Sequence, residues 1–303
     1  MPTKPKIGIV GKGAIGSLLS FKCATLKLNY QLLLRTKQDF CFQVQDITGQ
    51  QHKITPAVSD IHHPKSFDVL ILPVKAYQVM PILLQMKPFI QSHHVLVLLH
   101  NGMGTIEQVR AMFPNNSLVA ATTSYGAFKP SDQRITETGL GETHFGWIKK
   151  PNTSLQNSIT PILSSLLPPS TWHKDITLAL WKKLAINGVV NPLTAIHNIK
   201  NGQLSDIGYQ KDIAEICAEI AQVMSKAGYP VTTLELINNV LNVINATANN
   251  YSSMHQDIAF MRKTEIEYIN GYVLKMATKL KIKTPTNHFL VEQIRRLETK
   301  KDA

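Results

Sequence analysis

KIGIVGKGAIG, residues Lys6–Gly16, joins an apolar run to a glycine-rich turn. Lys6–Val10 is rich in β-branched residues, which predicts a buried strand, and the helical pattern of Ser17–Leu28 follows it directly. Gly11 permits a tight turn, Gly13 lets the backbone approach a pyrophosphate, and Gly16 allows helix and strand to pack closely. A lone G-x-G-x-x-G is weak, since glycine clusters also make ordinary turns. With a strand before and a helix after, it reads as a dinucleotide site. Gly11, Lys12, Gly13, Ala14, Ile15 and Gly16 are then expected to hold the cofactor, with the helix N–H groups and dipole turned to its phosphates.

Gln31–Leu34 reads as the second strand, and the residue after it selects the cofactor. NAD would call for an acid there, to bind the ribose hydroxyls. The chain has Arg35, with Lys37 beyond it and Asp39 as the first acid. A guanidinium suits the 2′-phosphate of NADP because it binds two oxygens at once, so NADPH is expected. A solvated basic loop is the alternative. Asp68–Val74 and Val95–Leu99 are further buried strands, ending at Lys75 and at His100-Asn101-Gly102. Ligands of a doubly wound sheet bind outside the carboxyl ends of its strands, which places Lys75 and Asn101 near the cofactor or the substrate. Leu118–Tyr125 leads into Gly126-Ala127, and Thr- and Gly-rich segments through Trp147 read as short antiparallel strands closing the sheet. The expected class is α/β, with an N-terminal Rossmann-type doubly wound sheet over residues 1–168 and an all-α C-terminal domain over 169–303. Prolines punctuate the boundary near Leu167–Thr171, and from Ile176 onward the period is helical.

Within the helical half, Trp181–Thr194 reads WKKLAINGVVNPLT. Lys183, Asn187 and Asn191 recur every fourth residue, so a helix sets them along one side of an otherwise apolar segment. A lysine snorkelling to water and amides capping turns would explain them blandly. A substrate-facing row, with an amine that donates a proton and amides that hold oxygens, is the functional reading. Ser252–Asp257 interrupts the helical pattern, with Ser253 a possible cap. Glu265 sits on an otherwise apolar face, and Asn201-Gly202 reads as a C-terminal turn. Thr232 and Glu235 have capping-box spacing, and Thr284-Pro285 opens the last helix.

Composition narrows the class. The chain has 303 residues, 44% hydrophobic and 17% charged, enough for two domains and a substantial core. No apolar run is long enough to span a membrane, and the N-terminal stretch has no signal-peptide core, so a cytoplasmic protein is expected. Cys23, Cys41 and Cys217 suit reduced thiols, and neither they nor the histidines have metal-ligand spacing. The net charge of +12 raises nucleic acid as a partner. Its basic residues are scattered, however, with only short clusters such as Lys149–Lys150, Arg295–Arg296 and Lys300–Lys301. A basic surface attracting an anionic metabolite is the better reading.

Seven blocks resemble one family, ketopantoate reductase: GKGAIG, Arg35, VKAYQ at Val74–Gln78, LHNGMGTIE at Leu99–Glu107, WKKLAINGVVNPLTA at Trp181–Ala195, YSSMHQD at Tyr251–Asp257 and TEIEYING at Thr264–Gly271. They lie in order over nearly the whole chain. The resemblance implies NADPH-dependent reduction of 2-dehydropantoate to pantoate, a small-molecule substrate; the oligomeric state, monomer or dimer, is left open. It implies Lys183 as general acid, and Asn187, Asn191, Asn201 and Ser253 as holders of the substrate carboxylate and hydroxyl. It implies Lys75, Asn101, Ala127 and Glu265 around the nicotinamide end. Asn101 would also meet the substrate, and Glu265 would touch the substrate hydroxyl or orient Lys183. Glu137 stands where relatives often have His, with no mechanistic weight attached. Another 2-keto acid reductase, or a non-catalytic NADPH-binding redox sensor, are the other classes this chain could join.

Overall fold

The computed structural model describes residues 5–299; Lys300–Lys301 lie outside them. Two compact units emerge. One comprises the described residues up to His100 with Thr105–Ile176, and the other Asn101–Gly104 with the residues from Thr177 onward.

The first unit has strands β1 (Ile7–Val10), β2 (Tyr30–Leu34), β3 (Phe42–Gln45), β4 (Gln51–Ile54), β5 (Ala57–Asp60), β6 (Val69–Leu72), β7 (Val95–Leu99), β8 (Ser117–Thr123), β9 (Gly126–Ser131), β10 (Arg134–Gly139), β11 (Thr143–Lys149) and β12 (Ser170–His173). Its helices are α1 (Ala14–Thr25), α2 (Ala76–Met86), α3 (Thr105–Met112) and α4 (Thr153–Leu166). The main sheet runs β12-β11-β8-β7-β6-β1-β2-β5. β1 pairs in parallel with β2 on one side and β6 on the other, so the winding reverses at its carboxyl end. Ligands bind at such a switch point, and Gly11 begins there. All four β1 residues are buried, as a strand covered on both faces requires.

Two expectations need correction. Among the described residues, only β11 joins the main sheet by antiparallel pairing; β9 and β10 belong to a second sheet, β4-β3-β10-β9. The units also divide after Ile176, not at residue 168, because Ser170–His173 still pairs with β11. The second sheet gives Glu137 a structural partner: its buried carboxylate lies 2.7 Å from Lys22 Nζ on α1.

The second unit is helical: α5 (Thr177–His197), α6 (Ile207–Lys226), α7 (Thr233–Ala246), α8 (Ser253–Ala259), α9 (Asn270–Leu280) and α10 (Pro285–Thr299). Gly228, at φ +93°, follows α6 as a helix-terminating glycine. The Thr232 hydroxyl caps α7, accepting the Glu235 N–H at 3.1 Å. Asn198, at φ +53°, follows α5, so Asn201-Gly202 is not its terminal turn but opens a 3₁₀ turn over Asn201–Ser205. The break in pattern at Ser252–Asp257 is itself the short helix α8. Among the described residues, no helix is long and apolar enough to cross a membrane.

Candidate functional site

In the first unit the glycine loop has the geometry its spacing predicts. Gly11 takes φ +84°, a conformation that costs any residue with a Cβ. A Cβ on Gly16 would lie 2.6 Å from the Gly11 carbonyl oxygen, so the helix packs directly on the turn. Gly13 caps α1 through its backbone, with no side-chain hydrogen bond and no acid in the first turn. The first N–H groups of α1, at Ala14, Ile15 and Gly16, thus remain for an anion. A pyrophosphate fits this cradle, which has room for backbone approach and no competing carboxylate in the helix.

Arg35 is exposed at the end of β2, with Lys37 exposed beyond it. Lys12 Nζ pairs with Asp132 at 2.9 Å and lies 5.0 Å over the Phe40 ring. Lys129 donates to the Lys12 carbonyl at 2.8 Å and to Asp132 at 2.8 Å. The two ammonium groups hold the Asp132 carboxyl down at about 2, below the usual range. Asp132 and Lys129 were not foreseeable as neighbours of the loop, since only the pairing of β9 with β10 brings them there. Lys75 precedes α2, its N–H donating to the Gln78 amide oxygen at 3.2 Å. Ala127 is on β9, opposite Glu137 of β10.

In the second unit, Lys183, Asn187 and Asn191 lie along α5 as spaced. Asn187 is 9% and Asn191 5% exposed. Among the described residues, neither amide nor the Lys183 amine makes a protein hydrogen bond or ion pair. Burial pushes the Lys183 amine below the ordinary lysine value of 10.5. Lys182, one position earlier, points elsewhere: its Nζ is 3.4 Å from Glu235 Oε1 at the surface.

Ser252, not Ser253, is the cap of α8. Its hydroxyl accepts the His255 N–H at 3.0 Å and the Thr194 hydroxyl at 2.7 Å, tying α8 to α5 just past Asn191. Ser253, one residue on, is exposed and free of that duty. Asn201 donates to the Thr247 hydroxyl at 2.9 Å, while its own side-chain oxygen is buried without a partner among the described residues. Glu265 is buried beside the turn Ile266–Tyr268. The Met103 N–H donates to the Tyr268 carbonyl at 2.9 Å, which docks the Asn101–Gly104 segment next to Glu265. Gly104, at φ +96°, lies against the Tyr272 ring, where a Cβ would sit 3.1 Å from the ring edge. The second unit therefore gathers Asn101 with the helical residues. Among the described residues, no cluster of histidine, cysteine, aspartate or glutamate could hold a metal ion.

Comparison with known proteins agrees with this division. Residues 7–150 match the family described as "Ketopantoate reductase PanE/ApbA", and residues 175–298 match "Ketopantoate reductase PanE/ApbA C terminal". The chain is 35% identical to the 2-dehydropantoate 2-reductase of Yersinia pestis over 97% of its own length and 95% of the relative's. It is 34% identical to that of Vibrio cholerae, over 96% and 97%. Among solved structures, a PanE/ApbA family ketopantoate reductase from Ralstonia eutropha superposes with a TM-score of 0.86 at 20% identity, covering 98% of this chain and 100% of that one. D-mandelate dehydrogenase, solved with NADH and anilino(oxo)acetate, reaches 0.91 at 22% identity, over 98% and 100%. These two likenesses speak to the fold alone. A match that runs in order through both units, joined to relatives alignable almost end to end, makes this chain a member of the ketopantoate reductase family.

Proposed function

We propose that this chain reduces 2-dehydropantoate (ketopantoate) to pantoate with NADPH, in the cytoplasm, on the route to pantothenate and coenzyme A. The coarser reaction, NAD(P)H-dependent reduction of a 2-keto acid, is that of its family. One observation supports the finer reading: an amine and two largely buried amide residues on α5 with no side-chain partner among the described residues. Their polar atoms are not sealed from solvent, so the row is open to ligand oxygens, and beside it the Asn201 side-chain oxygen is buried with no partner among the described residues.

NADPH supplies the hydride when bound. The glycine loop and the α1 N-terminus bind its pyrophosphate, Arg35 its 2′-phosphate, and Lys75, Asn101, Ala127 and Glu265 its nicotinamide end. Lys183 stabilises the negative charge that grows on the C2 oxygen and gives that oxygen its proton. Asn187, Asn191, Ser253 and the open oxygen of Asn201 hold the carboxylate and the C4 hydroxyl, with Asn101 alongside. Glu265 orients the Lys183 amine or accepts from the substrate hydroxyl. A redox sensor would need no proton donor, and the open Lys183 argues against that class. The same scaffold carries a D-mandelate dehydrogenase, so fold does not choose among 2-keto acids; the polar row favours a substrate with an extra hydroxyl.

The purified chain is expected to oxidise NADPH when ketopantoate is added, with pantoate identified chromatographically as the product. Absence of pantoate, with turnover of another 2-keto acid, would replace the substrate. The Lys183 amine also sets a pH dependence. A general acid acts only when protonated, and burial lowers this amine's pKa, so kcat/KM for reduction should fall as pH rises through a value below 10.5. Rates measured across the alkaline range should contain that limb, and Lys183→Ala should lack it. A wild-type profile flat up to 10.5 would remove the amine from the protonation step.

A further inference from the structure

Pro192 lies inside α5, one residue after Asn191. Proline has no N–H, so the hydrogen bond that residue 192 would give to the Gly188 carbonyl cannot form, and the ring crowds that same carbonyl. The orphaned carbonyl is not left open. The Asn270 side chain, from the first residue of α9, donates to it at 2.8 Å. The same NH₂ group donates to the Asn287 side-chain oxygen at 2.9 Å, and the Asn287 NH₂ donates to Glu219 at 2.7 Å. Glu219 also accepts the backbone N–H groups of Thr286 and Asn287, both at 2.8 Å, holding the start of α10. Asn270 and Asn287 are both 0% exposed.

The local sequence is cut to fit this arrangement. Residue 188 is glycine, and a Cβ there would lie 3.2 Å from Ile220 Cδ1 and 3.5 Å from the Asn270 amide nitrogen. The turn weakened by proline, Gly188–Pro192, thus carries Asn191 and joins it to Lys183 and Asn187 on the turns before it. A side chain from another helix replaces the missing bond at that turn, and buried partners fix that side chain in place.

We infer that Asn270 is a positioning residue: by substituting for the N–H that Pro192 lacks, it holds the two halves of the Lys183–Asn187–Asn191 row in register. Asn287 and Glu219 fix the Asn270 amide in turn. The inference rests on the reading of that row as substrate-facing. Asn270 itself touches neither substrate nor cofactor, and acts only through the α5 backbone.

A double-mutant cycle over Asn270→Ala and Pro192→Ala tests it in the full-length protein, because alanine in place of Pro192 would return the N–H that the Gly188 carbonyl needs. The readouts are kcat and KM for ketopantoate at saturating NADPH, the Kd for NADPH, and Tm. Asn270→Ala should raise KM about tenfold, which is about 1.4 kcal/mol and within the cost of a buried acceptor left open. NADPH affinity should stay unchanged, since its loop is in the other unit. Pro192→Ala alone should have a near-native KM, and the double variant should recover most of the KM lost in Asn270→Ala. A merely structural asparagine would lower Tm with KM unchanged, and that result overturns the inference, as does a double variant whose KM does not recover. Should Asn270→Ala fail to fold, the double variant decides: folding with near-native KM supports the substitution of one donor for another, and failure to fold refutes it. Wild type is assayed first with several 2-keto acids. If it prefers one other than ketopantoate, the substrate assignment falls, and the cycle is read on the preferred acid.

Discussion

Lys183→Ala is expected to lower kcat by roughly 10²–10⁴-fold, the span for loss of a positioned general acid. Lys182→Ala should change kcat only a few-fold. The two lysines are adjacent, but successive helical residues point about 100° apart. Lys183 shares its side of α5 with Asn187 and Asn191, and burial lowers its pKa. Lys182 is spent on Glu235 at 3.4 Å. NADPH should bind the Lys183 variant normally, because the glycine loop is untouched. Measuring kcat and NADPH Kd for both variants checks this. A larger kcat loss for Lys182→Ala would overturn the register and the mechanism together.

Arg35→Ala should weaken NADPH binding by about 1.5–3 kcal/mol, the range for hydrogen bonds to charged groups. In Kd this is about 10- to 150-fold. NADH lacks the 2′-phosphate, and its affinity should barely move. Arg35 is exposed, so the effect should shrink as salt screens the pair. Fluorescence titration of both cofactors against wild type and variant measures the difference. Equal losses for the two would mean that Arg35 does not read the 2′-phosphate.

Much of this site was legible in the sequence because its signals are local. The β1–Gly11–α1 unit occupies one continuous stretch, and the α5 row needs only the helical period. The second sheet was not legible for the opposite reason. β3 and β4 are short and half polar, reading FQVQ and QHKI, and β3 finds a parallel partner only in β10, far along the chain. Without that pairing Glu137 is an ordinary strand carboxylate; with it, the residue is half of an ion pair to α1.

Register was the second blind spot. The sequence points to Ser253 as a cap, but Ser252 takes that place, bonded to the His255 N–H and to the Thr194 hydroxyl from another helix. Pro192 is visible in the sequence as a disturbance of α5. Its remedy, Asn270, stands 82 residues away from Gly188 and no spacing rule connects them.

The measurement closest to the central claim compares ketopantoate with its analogue lacking the C4 hydroxyl, 3,3-dimethyl-2-oxobutanoate, both with NADPH. If α5 and its neighbours recognise that hydroxyl through buried polar groups, removing it leaves those groups unpaired. Sites of this kind reject the deoxy analogue by up to roughly 10⁴–10⁵ in kcat/KM. A preference for ketopantoate of at least about 10²-fold is expected, carried by groups each costing about 1–3 kcal/mol when left open. Equal kcat/KM for the two acids would contradict it, and would make the chain a reductase of 2-keto acids that does not read the hydroxyl.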